Sequence, residues 1–161
     1  MSPAAADPAC VTLPDEHAPA AEEASPGART FTVSLVAPFH EVCRFQARSI
    51  CVPGVTGHLG AMAGHLPLLV GLTTGLVHII DAEGHAQWFG ITGGFFEMVD
   101  DQAIVLADAI IRPLDLLHDA RGMRLAAPTR PLYRIKPDAS DHDKLQLARD
   151  LLSRKLVDLG I

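Results

Sequence analysis

The chain has 161 residues, of which 48% are hydrophobic, so it is long and apolar enough to form one domain with a substantial core. Its formal net charge of −6 argues against a nucleic-acid-binding surface, because phosphate recognition depends on clustered Lys and Arg. No stretch approaches the roughly 20 apolar residues that a membrane-spanning helix needs, so we expect membrane contact only through another protein.

Residues 1–29 are rich in Pro, Ala and acidic side chains and contain almost no aromatic or β-branched residues. Such a segment cannot bury enough apolar surface to offset the entropy that ordering would cost, so we predict a disordered extension. It has neither the apolar region of a signal peptide nor the Arg-rich composition of a transit peptide. We therefore expect it to carry no targeting signal.

Residues 30–112 show the pattern of a β-sandwich domain. Apolar and polar residues alternate over residues 31–36, which is the period of a half-buried strand. Further strands are indicated over residues 42–52, 68–72, 75–80, 85–92, 95–99 and 103–107. Many short strands at intervals of about ten residues, with no helical periodicity between them, are typical of a sandwich or barrel. We therefore predict mainly β structure.

Glycine, proline and aspartate mark the predicted turns between these strands. Residues 57–68 contain three glycines followed by His and Pro, which indicates that the backbone makes several turns there. Other turns are predicted at residues 53–54, 73–75, 81–84, 93–94 and 100–101. The sequence thus predicts a break in the sheet wherever these residues interrupt an apolar run.

Residues 113–161 are predicted to form a helical segment with a proline-rich interruption. Pro113 suits the first turn of a short helix, and the prolines between residues 126 and 137 exclude a continuous helix there. Ser140 can cap a second helix, in which apolar residues recur at spacings of three and four: Leu145, Ala148, Leu152, Leu156 and Leu159. Its cations form either a solvated face or a contact with an acidic partner: Arg149, Arg154 and Lys155.

Four segments of the chain carry short motifs. Residues 57–69 carry Gly-x-x-Gly followed by Gly-His-x-Pro-Leu, and residues 75–79 carry Gly-x-Val-x-Ile. The other two segments carry Gly-Gly-x-x-Glu and Ala-Asp followed by Arg, and their motif residues are Gly93, Gly94, Glu97, Asp108 and Arg112. In this order the four motifs resemble the epsilon subunit of rotary F-type ATP synthases, the counterpart of the mitochondrial delta subunit. Any one motif is weak, but four at the family's spacing are specific.

The resemblance implies an N-terminal β-sandwich of about ten strands and a C-terminal pair of helices, here shortened by prolines. It implies a non-catalytic central-stalk subunit of a complex that couples ion transport to ATP synthesis. The sandwich would bind the gamma subunit and the c-ring, and the helices would regulate ATP hydrolysis. Arg149, Arg154 and Lys155 would then contact the acidic face of the catalytic beta subunits. The implied location is peripheral, on the cytoplasmic face of a bacterial inner membrane, with the mitochondrial matrix side as the alternative.

By position, the c-ring-facing turn of the family corresponds to Gly57, His58, Leu59, Gly60, Gly64, His65, Pro67 and Leu68. His58 stands where the family has glutamate, so an imidazole replaces a fixed negative charge. A family motif that binds regulatory ATP aligns with residues 117–122, which keep its Leu and Arg but lose its Asp and its final Ala. We therefore expect no cofactor, and the resemblance does not predict ATP binding in this chain.

The residues leave one alternative from another class, a metal-dependent β-sandwich enzyme. It would use histidines from among His58, His65, His78 and His85, and the last two could approach each other across a hairpin. The sequence has no His-x-His or Glu-x-x-His pair, however, and no phosphate-binding loop or nucleophile motif. We expect His65 to hydrogen-bond the loop backbone rather than a metal.

Overall fold

The computed structural model describes residues 29–119 and 139–160. Within these ranges the chain forms seven strands and two helices: β1 (Phe31–Ala37), β2 (His40–Gly54), β3 (Gly57–Met62), β4 (Leu68–Asp81), β5 (Ala86–Val99), β6 (Gln102–Leu106), β7 (Ile110–Ile111), α1 (Pro113–Asp119) and α2 (Asp141–Asp158). The predictions for the N-terminal extension, the proline-rich interruption and the ATP-binding motif fall wholly or partly outside these ranges.

The sheet closes on itself around the core. Its strands follow the order β1-β6-β5-β4-β2-β3, and β1 also pairs with β2, while β7 pairs with β5. One edge of β2 is shared, because β1 pairs with residues 40–47 and β3 with residues 49–54. The inward face is filled by apolar side chains, the largest of which are Phe31, Leu35, Ile50, Ile79, Phe89, Ile91, Phe96 and Met98. The predicted β-sandwich class is confirmed.

The sheet has fewer strands than the predicted number of about ten, because segments predicted as separate strands are continuous. The register of β4 and β5 is unbroken from the Leu68–Met98 pair to the Ile80–Ala86 pair. The breaks predicted at residues 73–75 and 93–94 are therefore wrong. Residues 53–54, also predicted as a turn, are the last two residues of β2.

Gly93 and Gly94 bend β5 rather than end it. Their φ angles are 111° and 116°, in a region that residues with a side chain rarely adopt. Before the bend the odd-numbered residues of β5 face the core, as Phe89 and Ile91 do. After the bend the even-numbered residues face the core, as Phe96 and Met98 do. A change of phase in the apolar alternation looks like the start of a new strand in the sequence, which explains the wrong break.

The turns predicted within residues 57–68 are only partly observed. Strand β3 occupies the first half of this stretch and pairs along β2 from Ser49–Met62 to Gly54–Gly57. The free edge of β2 offers backbone hydrogen bonds, and glycine permits an extended backbone as readily as a turn. One turn lies before β3 at residues 55–56, and the β3–β4 loop follows it at residues 63–67. The turns predicted at residues 81–84 and 100–101 are confirmed.

Both predicted helices are present. The Oγ atom of Ser140 accepts a hydrogen bond from the Asp143 backbone N–H at 3.2 Å, as predicted for the N-cap of α2. The predicted apolar stripe is partly buried, since Leu145 remains exposed. The buried residues of the stripe are Ala148, Leu152 and Leu156. They form a second hydrophobic cluster with Ile111 and Leu116. Neither described helix is long and apolar enough to cross a membrane.

Replacing Gly94 with alanine should destabilise the sandwich by about 2 kcal/mol or more. A Cβ at this position would overlap the carbonyl oxygen of Leu106 and lie 2.8 Å from the Cα atom of Ala107, in addition to the strain of the positive φ. Urea denaturation measures the loss. Gly60→Ala is the matched control, because a Cβ there has no neighbour within 4 Å. Equal stability of the two variants would contradict the assignment of the bend.

Candidate functional site

The residues predicted to face a ring are spread along β3 and the loop that follows it. Gly57, His58, Leu59 and Gly60 lie in β3, Gly64, His65 and Pro67 lie in the β3–β4 loop, and Leu68 begins β4. His58 pairs with Pro53 at one end of β3, whereas His65 lies beyond the other end. At about 3.3 Å per residue, the strand from His58 to Met62 is about 13 Å long, so the structure does not bring the two histidines together.

The β3–β4 loop is held by backbone hydrogen bonds. The N–H of Gly64 donates to the Asp101 carboxylate, and the N–H of His65 donates to the carbonyl oxygen of Met62 at 3.1 Å. The Nδ1 atom of His65 donates to the carbonyl oxygen of Leu66 over 2.8 Å. His65 thus hydrogen-bonds the loop backbone, as predicted.

Large apolar side chains project from this end of the sandwich. Leu66 is 78% exposed and Met62 is 65% exposed. A groove of about 500 Å³ lies beside them, and Cys51 is part of its lining. Partial burial raises the pKa of the Cys51 thiol, which keeps it protonated and a poor nucleophile at neutral pH. These features suit contact with a protein surface better than catalysis.

A second exposed apolar surface covers β4, β5 and β6. It consists of Leu69, Phe95, Val99 and Leu106, and we call it the outer apolar face. Phe95 and Leu106 are direct partners in the β5–β6 register and are 56% and 46% exposed. Leu69 pairs with Glu97, which is exposed between Phe95 and Val99. A cluster of exposed apolar side chains of this kind is typical of a protein-binding site.

The other motif residues lie at the bend and at the start of α1. Gly93 and Gly94 form the bend, and a Cβ on Gly93 would lie 3.5 Å from the Oδ2 atom of Asp108. The backbone N–H and the guanidinium of Arg112 both donate to the Asp115 carboxylate, at 2.9 Å and 2.8 Å. The Asp115 carboxylate therefore satisfies the backbone N–H of Arg112, the residue just before α1, as the third helical residue does in a capping box. The structural role of these motif residues stays a prediction.

Helix α2 packs directly on the backbone of β5. A Cβ on Gly90 would lie 2.9 Å from the carbonyl oxygen of Ala148, so only glycine allows the helix to approach this closely. Leu152 and Leu156 are fully buried in the same contact. Burial of three helix side chains, each worth on the order of 1 to 3 kcal/mol, is enough to hold α2 on the sheet.

The cations of α2 are not simply solvated. The Nζ atom of Lys155 lies 4.4 Å from the ring centroid of Trp88, which is a cation–π distance. His78 stacks on the same ring, with the centroids 4.1 Å apart. Arg149 and Arg154 are half-buried. In this arrangement Lys155 contributes to docking of the helix, and the contact of these three residues with an acidic partner stays a prediction.

The histidines do not form a metal site in the part of the chain that the structure describes, where no group of three or more His, Cys, Asp or Glu could hold a metal ion. The register pairs His78 with Trp88 rather than with His85. The Nδ1 atom of His85 instead lies 3.5 Å from the Asp81 carboxylate. The alternative of a metal-dependent enzyme therefore has no support within the described ranges.

Two features of the site were not located from the sequence. An exposed apolar surface is expected for a stalk subunit that binds gamma, but the position of the outer apolar face was not predicted, and neither was the contact of Asp101 with the loop. The pair Phe95-Phe96 carries a signal for the first, since consecutive residues of a strand point to opposite faces and one Phe must lie outside the core. No local pattern marks the second, because Asp101 is 37 residues from Gly64 in the sequence.

Comparison with known proteins gives a consistent result. The family model described as the beta-sandwich domain of the ATP synthase delta/epsilon chain matches residues 30–113. The chain is 30% identical to the ATP synthase epsilon chain of Latilactobacillus sakei subsp. sakei (strain 23K) over 130 residues, which cover 80% of this chain and 89% of the relative. It is also 30% identical to the Rhodobacter capsulatus epsilon chain over 121 residues, covering 75% and 91%.

A solved structure has a similar fold. A chain of the Euglena gracilis mitochondrial ATP synthase, from a cryo-EM structure of OSCP, F1 and the c-ring, aligns with a TM-score of 0.52. The alignment has 15% sequence identity and covers 83% of this chain and 82% of that one. At this identity the likeness concerns the fold alone.

Replacing Gly90 with leucine should release α2 from the sheet while the sandwich stays folded, because the new side chain would collide with the helix backbone at Ala148. Trp88 is the single tryptophan of the chain and contacts α2 through Lys155, so its emission should shift to longer wavelength. Gly60→Leu, on an open strand surface, should leave the emission unchanged. An unshifted spectrum for Gly90→Leu would contradict the close packing of helix on strand.

Proposed function

The chain belongs to the ATP synthase delta/epsilon family, and on that premise we propose that it acts as the epsilon subunit of the central stalk. In this role the sandwich joins the gamma subunit to the c-ring, so that rotation of the ring turns the shaft of the catalytic head. The task is binding rather than bond-making, and it needs no cofactor. The observation that carries the proposal is the family match over the whole sandwich, residues 30–113.

We assign the outer apolar face to the gamma subunit. Its exposed Phe95, Leu106 and Leu69 lie on three neighbouring strands, which a large protein partner can cover without reorganising the sheet. Glu97 supplies one carboxylate within that surface. Together these side chains give an aromatic and aliphatic centre with a polar group beside it, the usual composition of a specific interface.

We assign the β3–β4 loop and the adjoining end of β3 to the c-ring. Leu66 and Met62 are the large apolar side chains exposed there, and His65 is tied to the loop backbone. His58 lies near the far end of β3 and replaces the glutamate of the family. Recognition of the ring by this chain therefore depends on loop shape and apolar contact rather than on a carboxylate at position 58.

The helices have a regulatory role that depends on release of α2. While Gly90 and Ala148 are in contact and Lys155 covers Trp88, the helix is held on the sandwich and its cations cannot reach a distant surface. Extension toward the acidic face of the catalytic beta subunits requires that these contacts break.

We propose that the subunit lies at the periphery of the membrane complex, on the cytoplasmic face of a bacterial inner membrane, with the mitochondrial matrix side as the alternative.

Replacing Phe95 and Leu106 together with aspartate should weaken binding of the gamma subunit by at least about tenfold, since two desolvated contacts are lost and two charges are introduced. Pull-down of the full chain with purified gamma measures this, and thermal unfolding should change little because both residues are exposed. Phe39→Asp is the control, because Phe39 is 98% exposed at the β1–β2 turn. Unchanged capture of the double variant by gamma would argue against this interface.

Charge reversal at Arg149, Arg154 and Lys155 should raise ATP hydrolysis by the assembled complex, because the extended helix would lose its attraction to the acidic head. Hydrolysis by reconstituted complexes is the measurement, and Lys144→Glu, at the start of α2, is the control. Trp88 emission of the isolated chain reports whether loss of the Lys155 contact has also undocked the helix. Hydrolysis identical to that of the wild type would count against a regulatory helix.

A further inference from the structure

We propose that Asp101 is a positioning residue that fixes the β3–β4 loop in its ring-binding conformation. The inference rests on the proposed function, since it takes this loop as the part of the sandwich that meets the c-ring. Asp101 lies in the turn between β5 and β6, 37 residues from the loop in sequence, and its carboxylate accepts a hydrogen bond from the backbone N–H of Gly64.

The turn itself shows that an aspartate at this position has a backbone cost. Asp100 and Asp101 have φ angles of 50° and 57°, and they connect two antiparallel strands without further residues. A two-residue hairpin with positive φ at both positions favours Asn-Gly, Asp-Gly or Gly-Gly. Glycine at position 101 would adopt this conformation with less strain, so a turn alone does not account for the carboxylate.

The contacts of Asp101 connect three parts of the chain. Its Oδ1 atom accepts the bond from Gly64, and its Oδ2 atom accepts one from the guanidinium of Arg29 at 3.0 Å. Its backbone carbonyl oxygen accepts a hydrogen bond from the N–H of Thr32 at 3.0 Å, at the point where the pairing between β1 and β6 begins. The sheet therefore holds the backbone of Asp101, while its carboxylate bonds to the loop.

Among the hydrogen bonds described for the loop, the one to Asp101 attaches it to a distant turn, and Ala63 packs against the core at the start of the loop. The other hydrogen bonds described for it are local, from the N–H of His65 to Met62 and from Nδ1 of His65 to Leu66. They shape the loop but do not attach it to another element. Gly64 has a φ of 81°, and the Arg29 guanidinium lies over it, 3.3 Å from the position of a Cβ. The bond to Asp101 thereby restrains the loop segment that carries the exposed Leu66.

The charges of this cluster contribute little to overall stability. The side chain of Arg29 is 73% exposed and that of Asp101 is 33% exposed, and ion pairs so accessible to water are weak. A hydrogen bond from a backbone N–H to a carboxylate is stronger than one between neutral groups, and it acts on the loop directly. Removing the carboxylate should therefore change presentation of the loop much more than the unfolding temperature.

The test compares Asp101→Gly, Asp101→Asn and Asp100→Gly in the full chain, with binding to purified c-ring carrying gamma as the first readout. Asp101→Gly suits the positive φ but removes both side-chain bonds, and it should bind the ring about tenfold more weakly than the wild type. Asp101→Asn keeps an acceptor for Gly64 and should stay within about threefold. Asp100→Gly removes the neighbouring charge at a similar φ and should bind normally.

Binding to gamma alone should be equal in all three variants, because the outer apolar face is unchanged. The second readout is the coupling across the hydrogen bond between the Gly64 amide nitrogen and the side-chain carboxyl carbon of Asp101, measured by nuclear magnetic resonance in the wild-type chain. We expect this coupling to be present. If Asp101→Gly fails to fold, this measurement still tests the inference, since absence of the coupling would overturn it.

The two proposals fail in different ways. A folded wild-type chain that binds neither gamma nor the ring overturns the proposed function, and the inference falls with it. A wild-type chain that binds the ring while Asp101→Gly binds equally well overturns the inference alone. The inference is also overturned if Asp100→Gly weakens ring binding as much as Asp101→Gly does. The effect would then come from the negative charge of the turn rather than from the bond with Gly64.

Discussion

The close approach of the β5 backbone to β6 at Gly94 is the constraint on which the rest of the domain depends. Because a Cβ at this point would overlap the carbonyl oxygen of Leu106, the strand can bend here only with glycine. The pairing of β4 with β5 continues through the bend without a shift of register. One long hairpin can therefore take part in both halves of the closed sheet.

The bend also gives the two halves of the hairpin different neighbours. Before it, the positions that face away from the core include Trp88 and Gly90, which are covered by α2. After it, they include Phe95 and Val99, which are exposed. The same two strands thus carry the internal docking surface for the helix and the outer apolar face that we assign to gamma. A partner on the second surface need not displace the helix from the first.

The contacts that hold helix α2 and those that hold the β3–β4 loop differ in strength. Helix α2 is held by three buried side chains, a close backbone contact and a cation–π pair, so its release is costly but reversible. The β3–β4 loop is attached through the carboxylate of Asp101, at a site open to water. The bond to Asp101 holds the loop in the conformation that we propose for ring binding, and the buried core keeps the sandwich beneath it rigid.

The sequence by itself determined the features that depend on neighbouring residues. The alternation in β1, the turns at residues 81–84 and 100–101, and the Ser140 cap with its apolar stripe follow from local φ preferences and side-chain spacing, and four short motifs identified the family. The turn residues predicted to meet the ring could be named by position, but the sequence did not indicate which of them lie in a strand.

Only the tertiary structure decided whether a glycine ends a strand, bends it or allows a helix to approach. Gly57–Met62 became a strand because an edge of β2 was free, and Gly93-Gly94 became a bend because β4 and β6 continue alongside. Glycine permits each of these conformations, so the choice belongs to its partners. The stacking of His78 on Trp88 depends on the exact register of the β4–β5 hairpin. The bond from Gly64 to Asp101 joins residues 37 positions apart, and no local pattern records such a contact.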